Sequence, residues 1–271
     1  MYSKNPYTKK NIKNYTEHDQ NKVTNIINSS EKSFLKWKNI PLKQRIKVIT
    51  IIKKNLISKK TESARMITIE MGKPIKESIA EIDKCVWLCD YYIDNAEQFL
   101  KPEIIKTEAK KSYISFEPLG VILGIMPWNF PFWQVFRFSI PAILSGNTTI
   151  VKHASNVSGC SLIIENIFSK NIDYKIFYSL LLSSSKMEKI IKNPIIKAIS
   201  LTGSDKAGRD VGSIAGSQIK KILLELGGAD AFIVCKDADI NKASEKAVFA
   251  RMLNNGQSCI AAKRFIVHKN V

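Results

Sequence analysis

Apolar positions along this chain change rhythm once. Up to residue 100 they recur at helical intervals: Val23, Ile26 and Ile27, then Phe34 and Trp37, then the run LKQRIKVITIIKKNL after Pro41. A second helical region covers 61–100 and is broken once, at Met71-Gly72-Lys73-Pro74. Residues 1–20 are polar and predict loop, and Lys111–Phe116 predicts a strand. Beyond residue 120, short apolar runs alternate with helical ones. The strand candidates are VILGIM (121–126), TTIVKH (148–153), AISLTG (198–203), ILLEL (222–226) and AFIVC (231–235). Helices fit at 132–145, 157–169, 205–216 and 241–254. Such alternation predicts an α/β fold with a largely parallel sheet covered on both faces.

The most apolar stretch, VILGIMPWNFPFWQVFRFSIPAILSG (121–146), is interrupted by Asn129, Arg137 and several prolines, so it reads as strand, loop and helix rather than a membrane span. At 271 residues the chain has room for two modest domains. Its net charge of +18 raises nucleic acid as a partner, but the lysines are spread along the whole chain and no binding motif accompanies them. The expectation is no nucleic acid and no membrane. Five cysteines (Cys85, Cys89, Cys160, Cys235, Cys259) form no regular framework, and with no secretory leader they suit reduced thiols in a cytoplasm. Cys85 and Cys89 share a helix face without histidines or further cysteines nearby, which predicts core residues and no metal site.

Five segments carry candidate chemistry. In MPWNFPFW (126–133), Asn129 either donates its amide to a developing oxyanion or caps the following helix. In VKHAS (151–155), Lys152 and Ser155 stand at a strand end, where ribose and phosphate groups are met. LTGSDKAGRDVG (201–212) runs from a strand through Gly203-Ser204 into a helix N-terminus, a place for a phosphate. LELGGAD (224–230) sets Glu225 in an apolar strand, where it is either salt-bridged or a base of raised pKa, and the two glycines after it allow close backbone approach. NNGQSC (254–259) presents Cys259 straight after small and polar residues, as a nucleophile or a buried spectator.

Taken in order, MPWNFP, VKHAS, LTGS with Gly208, LELGG and NNGQSC resemble the aldehyde dehydrogenase superfamily, and the resemblance runs from Asn5-Pro6 to about Lys269. It implies a parallel Rossmann-like sheet flanked by helices, the aldehyde dehydrogenase fold, with only the start of the second, catalytic α/β domain. The implied division is an N-terminal arm (1–20), an NAD(P)-binding domain with N-terminal helices (21–226) and the beginning of the catalytic domain (227–271). It also implies that Cys259 attacks the aldehyde carbon, that Glu225 activates water to hydrolyse the thioester, and that Asn129 with the Cys259 N–H forms the oxyanion hole. Cofactor contacts carry over to Trp128, Asn129, Lys152, Gly203, Ser204 and Leu226, with His153, Ala154 and Ser155 along the adenosine ribose. Ser155 stands where NAD-preferring members often carry glutamate, which favours NADP over NAD, while His153 departs from the usual proline.

GKPIKESIAEIDKCVWLCDYY (72–92) and GQSCIAAKRFIVH look most like the succinate-semialdehyde branch, in which Arg137 would bind the distal substrate carboxylate. A second arginine of some members falls here on Leu253, with Arg251 two residues earlier. Members of the family run on for roughly two hundred further residues, about one more domain, and form homodimers or homotetramers. The expectation is therefore a truncated chain lacking the C-terminal oligomerisation elements and inactive alone. The alternatives are an active enzyme whose missing half comes from a separate chain and a non-catalytic dinucleotide-binding or interaction module.

Overall fold

A computed structural model describes residues 1–271. The chain opens with two short antiparallel strands, β1 (Tyr2–Lys4) and β2 (Asn11–Asn14). Four helices follow: α1 (Gln20–Trp37), α2 (Leu42–Ser58), α3 (Lys60–Met71) and α4 (Ile75–Phe99). A hairpin of β3 (Glu103–Ile105) and β4 (Ser112–Ile114) leads into the alternating part. That part comprises β5 (Val121–Met126), α5 (Trp133–Leu144), β6 (Thr148–His153), α6 (Ser158–Ser169), β7 (Phe177–Ser179), α7 (Met187–Lys192), β8 (Ile196–Thr202), α8 (Asp205–Ser217) and β9 (Lys221–Glu225). The chain ends with β10 (Asp230–Val234), α9 (Ile240–Met252) and β11 (Ala262–Val267).

The central sheet has the order β7-β6-β5-β8-β9, and every neighbouring pair is parallel. Strand alternation sorts its side chains into two cores. Ile150 faces a core completed by Val23 and Ile27 of α1, Ile190 of α7 and Val211 of α8. Its neighbour Val151 faces the larger core built by α2 to α6 with the end of α1, in which Trp37, Ile52, Ile67 and Phe136 are fully enclosed. Cys85 and Cys89 also lie in that larger core. No helix is long and apolar enough to cross a membrane.

The polar arm is not loop. It is tied down by backbone: the Met1 amino group and the Tyr15 N–H make reciprocal bonds with Tyr15 and Met1 carbonyls, and Ser3 is fully enclosed. Tyr15 then reaches the buried Glu70, whose carboxylate accepts the Gly159 and Cys160 N–H groups at the start of α6. The break at 71–74 is as expected: Gly72 closes α3 in the left-handed region (φ 93°) and Pro74 precedes α4. Pro6 of the arm packs so closely over Gly72 that a Cβ there would sit 2.5 Å from it.

Candidate active site

The sheet begins in the middle. From β5 the chain steps outward to β6 and β7, then returns to lay β8 on the other side of β5. The crevice between the carboxyl ends of β5 and β8 is thus the point where strand order reverses, the position at which such sheets take ligands. Two turns open there: Pro127-Trp128-Asn129 after β5 and Gly203-Ser204 after β8. Leu226 and Gly227 enter beside them from the end of β9, and Gly203 N–H holds that strand end through the Glu225 carbonyl at 3.0 Å. These residues, with Gly256, Cys259 and Lys263, enclose a cavity of about 370 Å³.

Local chemistry explains the turn geometry. Ser204 caps α8, accepting the Ala207 N–H at 3.3 Å, and Asp205 accepts the Gly227 N–H at 3.2 Å. Gly208 lets α8 settle onto Leu226, since a Cβ there would lie 2.6 Å from the leucine side chain. Asn129 does not cap α5. The Glu81 carboxylate does so, accepting the Phe132 and Trp133 N–H groups at 2.8 and 2.9 Å. Asn129 Nδ2 instead donates to the Gln257 carbonyl at 2.8 Å, and its Oδ1 is buried without a partner.

Cys259 is half-buried and lies on the wall between that crevice and a second cavity of about 340 Å³. The second cavity is lined by Phe130, Trp133, Gln134 and Arg137 from the β5–α5 segment and by Glu77 and Lys84 from α4. The loop leading to Cys259 is held in an unusual conformation, with Asn254, Asn255 and Gly256 all left-handed (φ 59°, 55° and 69°). Arg251 lines neither cavity but fastens this loop, donating to the Gly256 carbonyl at 2.9 Å. On the other side, Lys263 donates to the carbonyls of Gly228, Ser258 and Cys259 at 2.7, 3.0 and 2.8 Å. Sequence reasoning missed this lysine; the fold alone brings the Gly228 carbonyl, 35 residues away, to the nearby Ser258 and Cys259 carbonyls that it joins.

Of the two settings expected for Glu225, the structure shows the ion pair. β9 is the outer strand of the sheet, so the carboxylate is half-exposed rather than buried, and it pairs with Arg137 at 3.5 Å. It lines a third cavity with Arg137 and Phe138 and not the two that meet at Cys259.

At the end of β6 the structure also corrects the reading of His153. Its side chain is 4% exposed, with neither ring nitrogen in a hydrogen bond, so it is enclosed rather than laid along a ribose edge. Burial, helped by the Lys152 charge, pushes its pKa down to about 3, with the nearby Pro127 backbone opposing the shift. Burial likewise lowers Lys152, against the pull of Glu17. Ala154 is half-buried and Ser155 exposed; none of these four residues lines the crevice containing Gly203.

The sheet order and the crevice at its switch point, with Cys259 on the crevice wall, define an α/β fold of the kind that takes ligands at the carboxyl ends of its strands. The family model described as aldehyde dehydrogenase family matches residues 1–271, and the chain belongs to that family. A Synechocystis sp. protein named probable succinate-semialdehyde dehydrogenase [NADP(+)] is 44% identical over 98% of this chain. The succinate-semialdehyde dehydrogenase [NADP(+)] of Mycobacterium avium is 43% identical over 98% of this chain. The chain spans 59% and 58% of those two relatives. Among solved structures, succinic semialdehyde dehydrogenase from Streptococcus pyogenes in complex with NADP+ superposes with a TM-score of 0.95 at 30% identity, covering 98% of this chain and 59% of the other.

Proposed function

We propose that this chain forms the cofactor-binding and nucleophile-bearing part of an NADP-dependent oxidation of succinate semialdehyde to succinate. The observation that carries the reading is the place of Cys259 on the wall shared by two cavities. One opens on the dinucleotide crevice, and the other holds Arg137. In this reading residues 21–226 make the cofactor unit, 1–20 its arm, and 227–271 the opening of the catalytic unit, in a cytoplasmic protein.

The crevice suits a dinucleotide. Gly203 meets no atom closer than 3.7 Å where a Cβ would stand, so its backbone lies open beside the N-terminus of α8. Trp128, Asn129, Gly203, Ser204 and Leu226 would hold the cofactor near the nicotinamide and pyrophosphate, with Lys152 and Ser155 toward the ribose. When bound, it accepts the hydride.

The Cys259 thiolate adds to the aldehyde carbon, and the resulting oxyanion is met by the free Asn129 amide hydrogen and the Cys259 N–H. After hydride loss the Cys259 thioester is hydrolysed by water activated at Glu225, whose carboxylate must leave Arg137 to do so. Arg137, thereby released, holds the distal carboxylate. The test is NADPH formation by the purified chain with succinate semialdehyde, beside Cys259→Ala and calorimetric binding of NADP. Turnover that vanishes in the mutant is the result that supports this reading, and it would overturn the expectation that the chain is inactive alone. Cofactor binding without turnover would instead favour a non-catalytic dinucleotide-binding module, a reading to which the separation of Glu225 from the Cys259 cavities lends support.

A further inference from the structure

The break between α3 and α4 holds a group that the proposed chemistry does not use. Lys73 is 1% exposed and its ammonium is enclosed among side chains. It pairs with Glu81 Oε2, donates to Asn254 Oδ1 at 2.8 Å and lies 4.6 Å from the centre of the Phe130 ring. The second Glu81 oxygen takes the first N–H groups of α5. Asn254 passes the connection on, its Nδ2 donating to the Asn129 carbonyl at 2.9 Å and the Gln257 carbonyl at 3.3 Å. Beside it, Asn255 Nδ2 donates to the Gly72 carbonyl at 3.0 Å. One buried ion pair therefore joins the residue that carries the amide donor, the start of α5 and the loop before Cys259.

A buried ion pair adds little stability over apolar residues of the same volume, so its presence here asks for another reason. The loop supplies one. Consecutive left-handed residues are strained unless their surroundings hold them; Arg251 holds Gly256, and the contacts that hold the two asparagines' side chains from outside the loop come from Gly72, Lys73 and Asn129. Asparagine is also the non-glycine residue best able to adopt that conformation while bonding through its side chain.

We infer that Lys73 and Glu81 are positioning residues that, through Asn254, fix the Cys259 loop relative to Asn129, so that thiol and amide face one carbonyl group. This rests on the reading of Cys259 as nucleophile and Asn129 as oxyanion donor, but its test does not need turnover. The intact chain is treated with iodoacetamide and the alkylation rate of Cys259 is followed by peptide mass spectrometry, with the exposed Cys235 as internal reference. Hydrogen exchange of residues 253–261 is measured alongside.

The expected result is that Lys73→Met and Asn254→Gly each shift the Cys259 rate by about fivefold or more, leave Cys235 unchanged and speed exchange in the loop. Glycine at 254 keeps the left-handed backbone while removing the amide. Combining the two substitutions should add little to either. Should Lys73→Met fail to fold because Glu81 is left uncompensated, Lys73→Met/Glu81→Leu removes both charges and is read the same way. A Cys259 rate and loop exchange that stay at the wild-type value in the folded variants would overturn the inference. So would effects that simply add in the Lys73→Met/Asn254→Gly double variant. Absence of aldehyde turnover in the wild-type chain would count against the catalytic reading alone and leave these measurements intact.

Discussion

Asn129 Nδ2 donates to the carbonyl of Gln257 at 2.8 Å, two residues ahead of Cys259. The amide is thus anchored to the loop of the thiol and not to the helix it precedes. An amide nitrogen carries two hydrogens. With one on Gln257, the other makes no hydrogen bond, and its direction is fixed by the loop that also fixes the sulfur.

Asn129→Ala is therefore expected to lower kcat by about 10²–10³-fold with little change in KM, the loss typical of one oxyanion donor. Steady-state kinetics with succinate semialdehyde checks this. A fall in kcat of only a few-fold would assign Asn129 to loop anchoring instead.

Arg137 and Glu225 hold each other at 3.5 Å with both side chains partly open to solvent. A solvent-accessible pair of this length is weak and can be exchanged for a substrate carboxylate. Arg137→Met is expected to raise KM for succinate semialdehyde about tenfold or more, while KM for an uncharged aldehyde of similar length stays near the wild-type value. Equal effects on both substrates would show that the arginine acts on the fold and not on the carboxylate.

The alternating half of the fold was legible because its strands are buried runs bounded by turns. β5 and β6 lie where the apolar runs VILGIM and TTIVKH place them. β7 and α7 were missed: Phe177–Ser179 is only three residues long, and the surrounding IFYSLLL has no period to separate strand from helix. The arm was missed for the opposite reason, since its order comes from backbone pairing and from Tyr15 reaching Glu70, neither of which leaves a hydrophobic period. At the site, the motif residues around Asn129, Gly203 and Cys259 are brought to one crevice, whereas Lys73 and Asn254 act on each other across a long stretch of sequence and Lys263 ties the Cys259 loop to the distant Gly228 carbonyl. The apolar strand around Glu225 leaves a salt bridge and a raised-pKa base equally open; the outer position of β9, which also leaves Leu223 and Leu224 exposed, brings the carboxylate to Arg137.

β10 and β11 pair only with each other, in parallel, and Ile233, Phe265, Ile266 and Val267 are exposed on them. Parallel strands are ordinarily covered on both faces, and a bare apolar edge templates further pairing. The chain is expected to associate with rising concentration in sedimentation velocity. Ile266→Lys should weaken that association without lowering the melting temperature by more than a degree or two. Unchanged association in this variant would place the sticky surface elsewhere.

His153 gives the chain a pH-dependent stability whose sign follows from its burial. In the unfolded chain its pKa returns to the ordinary histidine value of about 6.5, whereas in the fold burial pushes it down to about 3. Between those values the unfolded state binds a proton that the native state does not, so stability falls as pH drops below about 6.5 and keeps falling until about pH 3. At pH 5 this linkage costs about 1–2 kcal/mol relative to pH 7.5. His153→Leu, which keeps the enclosed position filled with apolar atoms, should lose that part of the slope. Urea unfolding of both proteins at pH 5 and pH 7.5 is the check. The mutant's loss on acidification should be smaller than the wild type's by about that amount. Parallel losses would mean that the histidine finds a proton acceptor in the fold and is not held neutral by its surroundings.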